Sequence, residues 1–197
     1  MSEPDQSHQH SPGHICPAEH AGWLHSPLRR LINDPKRLLR GLVAPGDTAV
    51  DLGCGPGYYT LPLAKMVGES GRVIAVDVQE GMLAQLRVRA EKAGLSPRIQ
   101  PHLAGGNTLD VSSPADFALA FWMLHEVPDQ LGFLRQVHDM LRPRGRLLLA
   151  EPLGHVSKTR FTAVIAMAEQ VGLRLVGRPR VGFSRTALFE RPSPGGS

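Results

Sequence analysis

Apolar residues recur along this chain with two spacings, one typical of buried strands and one typical of helices that cover a sheet. Short β-branched and aliphatic runs predict strands at residues 48–52, 72–76, 99–104, 116–121, 146–150, 173–177 and 183–190. Helical spacing predicts helices at residues 57–67, 80–93 and 158–171, and another that starts at Pro128-Asp129 and is closed by residues 142–145. Strands that alternate with helices indicate an α/β fold with a mostly parallel sheet.

The two ends of the chain differ from its middle in composition. Residues 1–13 and 192–197 are polar or rich in Pro, Ser and Gly, so we expect both segments to be disordered. Ser26-Pro27 and Asp34-Pro35 each pair a capping residue with proline and predict two short helices before the first strand. The predicted organisation is an N-terminal strap with helices at residues 14–45, which caps a ligand cleft, and one domain at residues 46–191.

Three glycines stand between the first predicted strand and the helix after it. Gly53, Gly55 and Gly57 allow positive φ and a close approach of a ligand to the backbone, and free amide groups at the helix start can donate hydrogen bonds. A dinucleotide-binding loop has its last glycine three residues after the second, where this chain has Tyr58. The turn therefore predicts a cradle for a different ligand, and a tight turn without any ligand is the structural alternative.

The order of residues in this turn, Asp51-Leu52-Gly53-Cys54-Gly55-Pro56-Gly57, resembles the first motif of class I methyltransferases that depend on S-adenosylmethionine (SAM). Asp77 ends the next predicted strand, 20 residues after Gly57, where a carboxylate can accept hydrogen bonds from ribose hydroxyls. The resemblance covers about residues 28–190 and implies a Rossmann-like fold. In that fold, helices cover both faces of a mostly parallel seven-stranded sheet whose last strand is antiparallel. Within the superfamily, the run from Phe121 to Val127 and the absence of a domain inserted after the fourth or fifth strand most resemble the small ubiquinone/menaquinone-biosynthesis type.

This resemblance implies SAM as the cofactor and a set of residues that bind it. Asp51 and the backbone of Gly53 would hold the methionine ammonium, the glycine turn would pass under the sulfonium arm, and Asp77 would hold the ribose. Val78 and Met82 are placed to pack against the adenine ring, although Met82 fits a core residue equally well.

The third and fourth predicted strands supply two further expected contacts. Many class I methyltransferases have an aspartate after the third strand for the adenine amino group, and this chain has Gly106 and Asn107 there instead. Asn107, or the backbone at Gly106, is expected to take that role. Phe121 ends the fourth strand and is expected to contact the cofactor through its main chain.

Candidate catalytic residues follow the fourth strand, where the sheet delivers its last residues into the ligand crevice. His125 and Glu126 are the polar groups expected nearest to a methyl acceptor, and the usual pKa of histidine suits it to act as a base. His20 and His155 could share this role. Each histidine could equally be an ordinary surface residue.

The segment from His14 to His25 gathers three histidines, one cysteine and one tryptophan without helical or strand periodicity. We interpret it as a cap over the cleft in which Cys16, Glu19 or His20 faces the acceptor. A strap without a chemical role and a metal or metalloid site built from His14, Cys16 and His20 are the alternatives. The spacing matches no established zinc pattern, so no resident metal is predicted.

Composition limits the remaining function classes. Twenty-two basic and 18 acidic residues give a net charge of +4, which is too small and too scattered to indicate nucleic-acid binding. The chain has two cysteines, no apolar run long enough for a membrane span and no secretory pattern, so we expect a cytoplasmic protein. The predicted function is transfer of a methyl group from SAM to a small-molecule acceptor, with release of S-adenosylhomocysteine. A SAM-binding accessory protein without catalysis, a metalloid methyltransferase and a nicotinamide-dependent oxidoreductase are the alternatives.

Overall fold

The computed structural model describes residues 34–105 and 108–194 of the protein. Its strands are β1 (Thr48–Leu52), β2 (Arg72–Asp77), β3 (Ile99–Leu103), β4 (Ala115–Phe121), β5 (Leu141–Pro152), β6 (Arg174–Gly177) and β7 (Ser184–Glu190). Its α-helices are α1 (Pro35–Leu39), α2 (Thr60–Met66), α3 (Glu80–Lys92), α4 (Gln130–Met140) and α5 (Lys158–Gln170). Short 3₁₀ turns occupy Ser96–Arg98 and Leu124–Glu126.

The strands form one seven-stranded sheet in the order β3-β2-β1-β4-β5-β7-β6. Strands β1 to β5 pair in parallel, and β7 is antiparallel to both β5 and β6. This arrangement confirms the predicted Rossmann-like fold. The chain reverses its direction of winding between β1 and β4, and ligands of open α/β sheets bind outside the carboxyl ends of the strands at such a switch point.

Both faces of the sheet are covered, which explains why its central strands are continuous apolar runs. All five residues of β1 are buried. One face packs against the apolar sides of α4 and α5, and the other packs against α2 and α3. Leu39 of α1 is fully buried in the second cluster, and Arg146 Nη2 donates a hydrogen bond to the carbonyl of Leu42. The segment that follows α1 is thereby attached to β5.

Helix α2 begins at Thr60, three residues later than predicted. The predicted start at Gly57 is wrong because Gly57 has φ +90°, which a right-handed helix cannot contain. The residues from Gly55 to Tyr59 form consecutive turns instead. The glycine segment is therefore longer than the sequence indicated.

Strand β5 begins at Leu141, although residues 142–145 were expected to be a loop that closes the preceding helix. Leu141 pairs with Ala115 of β4 and Arg146 pairs with Phe117, so residues 142–145 form an irregular stretch of β5 between these two pairs, with Arg144 at φ +65°. Arg191 Nη1 donates to the carbonyls of His138, Asp139 and Leu141, and these bonds satisfy carbonyls that the end of α4 leaves open.

Asp34 accepts a hydrogen bond from the amide of Lys36 at 3.0 Å and caps α1, as the Asp34-Pro35 pair predicted. Residues 1–33 lie outside the described ranges. The predicted strap, its first helix, the cluster of His14, Cys16 and His20, and the proposed disorder of residues 1–13 therefore remain predictions.

Candidate active site

The glycine turn is held against β2 by its own backbone. The amides of Gly53 and Cys54 both donate to the carbonyl of Val76, each at 2.9 Å. Gly53, Gly55 and Gly57 have φ values of +68°, +51° and +90°. The turn therefore uses the left-handed conformations that glycine adopts without strain.

The three glycines face different surroundings. A Cβ at Gly53 would lie 2.9 Å from Cβ of Met123, and a Cβ at Gly57 would lie 2.4 Å from Cδ1 of Leu86 in α3. A Cβ at Gly55 would meet no atom within 4 Å. Gly57 is thus required by the packing of the helix layer, whereas the space over Gly55 is open to a ligand.

Asp77 connects the end of β2 to this turn. Its Oδ2 accepts a hydrogen bond from the Gly55 amide at 2.8 Å, and its Oδ1 accepts one from the Gln79 amide at 2.9 Å. Each carboxylate oxygen has two lone pairs, so both oxygens can accept a second donor such as a ribose hydroxyl. Burial raises the pKa of Asp77, against the opposing effect of its backbone hydrogen bonds. Asp77 therefore both fixes the turn and keeps capacity for a ligand.

Asp51 is a buried carboxyl at the same end of the sheet. Its side chain is 2% exposed, and its Oδ2 accepts a hydrogen bond from Thr60 Oγ1 at 2.6 Å. Burial raises the pKa of Asp51 from 3.8 to about 7, although the bond from Thr60 opposes the shift. A cationic group bound beside it would stabilise the ionised form. Thr60 was missed in the sequence because the helix was predicted to start at Gly57, which placed Thr60 inside it.

The residues predicted to contact the cofactor near its adenine differ in exposure: Val78 lies at the surface, whereas Met82 and Phe121 are buried. Val78 is 49% exposed beside Asp77, whereas Met82 is 4% exposed. Phe121 is buried between Tyr59 and Trp122, with ring centroids 4.5 Å and 5.2 Å away. Asn107 and Gly106 lie outside the described residues. Val78 therefore offers the accessible apolar surface.

His125 is paired with a carboxylate that sequence reasoning did not assign to the site. Its Nδ1 lies 2.5 Å from Oε2 of Glu151, at the end of β5, and Oε1 of Glu151 accepts the Leu124 amide at 2.9 Å. Glu151 is 1% exposed. The hydrogen bond to Glu151 raises the pKa of His125, while burial opposes the shift. His125 and Glu151 are 26 residues apart in the chain and meet because β4 and β5 are neighbours in the sheet, so no local spacing reveals the pair.

Glu126 lies on the other side of the imidazole. Its Oε1 is 4.0 Å from Nε2 of His125. Burial raises the pKa of Glu126, His125 opposes the shift, and the charges of Glu151 and Asp77 add to it.

Trp122 has a strained backbone immediately after β4, with φ +58°. Its amide donates to the carbonyl of Ala150 at 2.8 Å, and its indole Nε1 donates to Ser184 Oγ at 2.9 Å. Positive φ in a bulky residue is uncommon and is often found at functional sites. These bonds join the ends of β4 and β5 to the start of β7.

A pocket of about 120 Å³ opens beside His125, between the 3₁₀ turn, α4 and α5. The lining includes both polar and apolar side chains, namely Leu124, His125, Gln130, Glu151, Val156, Arg160, Ala163, Val164 and Met167. The ring of His155 lies 5.7 Å from that of His125, measured between centroids. The structure therefore brings His125, His155 and Glu126 together, whereas His20 lies outside the described residues.

Within residues 34–105 and 108–194, no group of three or more His, Cys, Asp and Glu side chains is arranged to hold a metal ion. No helix in the same ranges combines the length and apolarity needed to cross a membrane.

Comparison with known proteins agrees with this geometry. Residues 49–145 match a family model described as a methyltransferase domain. A SAM-dependent methyltransferase from Aquifex aeolicus superposes with a TM-score of 0.80 at 26% identity, and the alignment covers 90% of this chain and 100% of that one. The chain belongs to the class I SAM-dependent methyltransferases. The resemblance predicted from the glycine motif is confirmed, and SAM is the cofactor that this family implies.

Curated relatives match only part of their own length. A demethylmenaquinone methyltransferase from Lysinibacillus sphaericus is 30% identical over 135 residues, which are 67% of this chain and 51% of the relative. A 37.1 kDa protein from transposon TN4556 of Streptomyces fradiae is 39% identical over 109 residues, which are 55% of this chain and 31% of that protein. The chain thus spans about a third to a half of these relatives.

Proposed function

We propose that this methyltransferase-family protein transfers a methyl group from SAM to a small-molecule acceptor. The observation that carries the proposal is the cradle at the switch point. Asp77 holds the Gly55 amide, the space over Gly55 is open, and the buried Asp51 carboxyl lies at the same strand ends. A nucleoside with a cationic amino-acid tail offers its ribose hydroxyls to Asp77 and its positive charge to Asp51.

The residues of the cradle fit SAM in chemical type. The oxygens of Asp77 would hold the ribose hydroxyls, Asp51 and the Gly53 carbonyl would hold the ammonium group, and Val78 would cover the adenine. When bound, SAM supplies an electrophilic methyl group on its sulfonium. The protein then has to align the acceptor and exclude water, and in intramolecular models alignment of this kind contributes about 7–11 kcal/mol.

A quinol-like acceptor is the first class to test, since relatives in the comparison are demethylmenaquinone methyltransferases. The acceptor would enter beside His125 and Glu126, where the pocket has both apolar and polar walls. The predicted strap at residues 14–45 would cover this side. His20 remains a candidate contact from that strap.

Calorimetric titration tests the cofactor assignment. We expect micromolar binding of SAM and S-adenosylhomocysteine and no binding of NAD. The reason is that Tyr58 stands where a dinucleotide-binding loop has its last glycine. Binding of NAD without SAM would contradict the proposal. A protein that binds SAM but releases no S-adenosylhomocysteine with a panel of quinols, phenols, thiols, amines and metalloids would instead be a SAM-binding accessory protein.

A further inference from the structure

We infer that Glu151 is a positioning residue, which orients His125 so that its Nε2 accepts the proton lost by the methyl acceptor. The inference rests on the proposed function and narrows its substrate class. The acceptor would be one that must lose a proton to react, such as a phenol or hydroquinone, rather than a thioether or a tertiary amine.

The hydrogen bonds of Glu151 determine the tautomer of His125. An ionised carboxylate can only accept hydrogen bonds, and Glu151 accepts the Leu124 amide on Oε1 at 2.9 Å and His125 Nδ1 on Oε2 at 2.5 Å. Nδ1 therefore carries the proton in the neutral ring. Nε2 is then the nitrogen with a free lone pair, and only that nitrogen can act as a base.

The 3₁₀ turn that carries His125 is held at its first residue, Leu124, through both the amide and the carbonyl of that residue. Glu151 binds the Leu124 amide, and Gln130 Nε2 donates to the Leu124 carbonyl at 3.0 Å. Glu151 is itself 1% exposed at the end of a central strand. The imidazole is thus fixed by a rigid sheet rather than by a loop, as precise proton transfer requires.

The charged and titratable groups near His125 lie on its own turn, on β5, on the loop after β5 and on α5, whereas α4 contributes the neutral Gln130. Glu126 lies on the same turn and Glu151 on β5, and both favour the protonated ring. His155, on the loop after β5, has its ring 5.7 Å away, and Arg160 on α5 disfavours the protonated ring. The two carboxylates stabilise the imidazolium formed when Nε2 takes up a proton, because each lies beside one ring nitrogen.

The proton balance follows from this arrangement. The acceptor atom gains a methyl group as the bond from that carbon to sulfur breaks, and the electron pair of the broken bond stays on sulfur. The acceptor proton moves to Nε2 of His125, while the Nδ1 proton remains in its bond to Glu151. The imidazolium then returns its extra proton to water, which restores the starting tautomer.

The first experiment uses the protein alone. In NMR spectra of the full chain, ¹⁵N and Cε1–H signals report the tautomer and the titration of each histidine, and His125→Gln assigns the signal of His125. We expect the neutral ring to carry its proton on Nδ1. In Glu151→Gln, the amide can donate to Nδ1, so we expect protonation on Nε2 and a lower pKa for His125. An unchanged tautomer and titration would overturn the inference.

The second experiment measures the pH profile of methyl transfer to catechol and 1,4-naphthohydroquinone by release of S-adenosylhomocysteine. The base acts when Nε2 is unprotonated, so wild-type kcat should rise with pH through the raised pKa of His125. Glu151→Gln should lower kcat by roughly 100-fold and move this acid limb to lower pH. Glu151→Asp should restore part of the activity. A kcat and an acid limb that do not change would show that Glu151 only supports the turn, and would overturn the inference.

A matched control is available in the same chain. His138 Nδ1 lies 2.9 Å from Oδ1 of Asp139, on α4 and away from the strand ends. Asp139→Asn should leave the pH profile unchanged, and a change equal to that of Glu151→Gln would overturn the inference. Dimethyl sulfide and N,N-dimethylaniline lose no proton when they are methylated. Turnover of either one, with no turnover of hydroquinone or catechol, would also overturn the inference. Absence of SAM binding would instead reject the proposed function, a result that the NMR measurement does not depend on.

Discussion

The proposed cofactor end of the cleft, at the glycine turn, is formed mainly by backbone, whereas the proposed acceptor end, at the turn after β4, is formed mainly by side chains. At the cofactor end, the amides of Gly53, Cys54 and Gly55 are bound by Val76 and Asp77 on the neighbouring strand. At the proposed acceptor end, the Trp122 amide bonds to the Ala150 carbonyl, and the other contacts reported for the turn after β4 involve side chains, such as His125 with Glu151 and Trp122 with Ser184.

This difference suggests how one fold can keep its cofactor and change its acceptor. Backbone hydrogen bonds survive most substitutions, so the cradle depends on a few glycines and carboxylates. Side-chain pairs are lost by a single substitution at either partner. We therefore expect substitutions at the cofactor end to change stability and SAM affinity, and substitutions at the acceptor end to change turnover with SAM affinity preserved.

The largest effect is expected from Gly57→Ala. The new methyl group would meet Leu86 at 2.4 Å, and φ +90° is unfavourable for alanine. These two costs should lower the free energy of unfolding by about 2–4 kcal/mol. Denaturant unfolding measures the loss. Gly55→Ala is the matched control, because its Cβ meets open space; it should lose only about 1 kcal/mol of stability but should weaken SAM binding. Equal stability losses would remove the distinction between the two glycines.

Asp77→Ala should weaken SAM binding by about 1–3 kcal/mol, because it removes acceptors for the ribose and leaves the Gly55 amide without this partner. Titration calorimetry measures the change. Asp34→Ala removes the carboxylate that caps α1 and should leave SAM affinity unaltered. Full affinity in Asp77→Ala would place the ribose elsewhere.

Asp51→Asn should have opposite effects on stability and binding. Because burial raises the pKa of Asp51 to about 7, the unfolded chain loses this proton at lower pH than the folded protein. Stability therefore falls as pH rises from 3.8 to about 7, and the asparagine variant should be more stable above pH 7, by about 1–2 kcal/mol. Thermal unfolding across pH checks this.

SAM affinity of the wild-type protein should rise through the same pH window, since the ionised carboxylate attracts the ammonium group. The asparagine variant should bind SAM more weakly and without this pH dependence. A variant that binds as tightly as wild type would remove Asp51 from the cofactor site.

The smallest effect is expected from Ser184→Ala. This substitution removes the hydroxyl oxygen that accepts a hydrogen bond from Trp122 Nε1. Such a hydrogen bond contributes about 0.5–1.5 kcal/mol. We expect a modest loss of turnover, with SAM affinity within about twofold, because the contact lies at the acceptor end. Thr186→Ala, on the same strand, is the control. If Ser184→Ala changed SAM affinity more than turnover, the proposed separation of the cofactor end from the acceptor end of the cleft would be contradicted.

The fold, and the position of the glycine turn beside Asp77, could be predicted from the sequence because their signals are local. Strand runs, glycine spacing and Asp77 at a strand end all lie within one strand–helix–strand unit, and the parallel pairing of β1 with β2 places them together. The late start of α2 was not predicted because helical spacing of apolar residues does not register the positive φ of Gly57.

The acceptor end could be predicted only in part. His125 and Glu126 were proposed from their position after β4. Glu151 was not, because its contact with His125 depends on how β4 and β5 pair in the sheet. Trp122 was not assigned a role either, because its partner Ser184 lies 62 residues away on an antiparallel strand. Pairs that form between distant strands leave no periodic signal.

A crystal structure of the full chain with S-adenosylhomocysteine tests the central claim most directly. The account predicts ribose hydroxyls on the oxygens of Asp77, the nucleoside over Gly55 and the amino group beside Asp51. A nucleoside bound away from the strand ends, or a turn whose open side is filled by a neighbouring side chain, would contradict it.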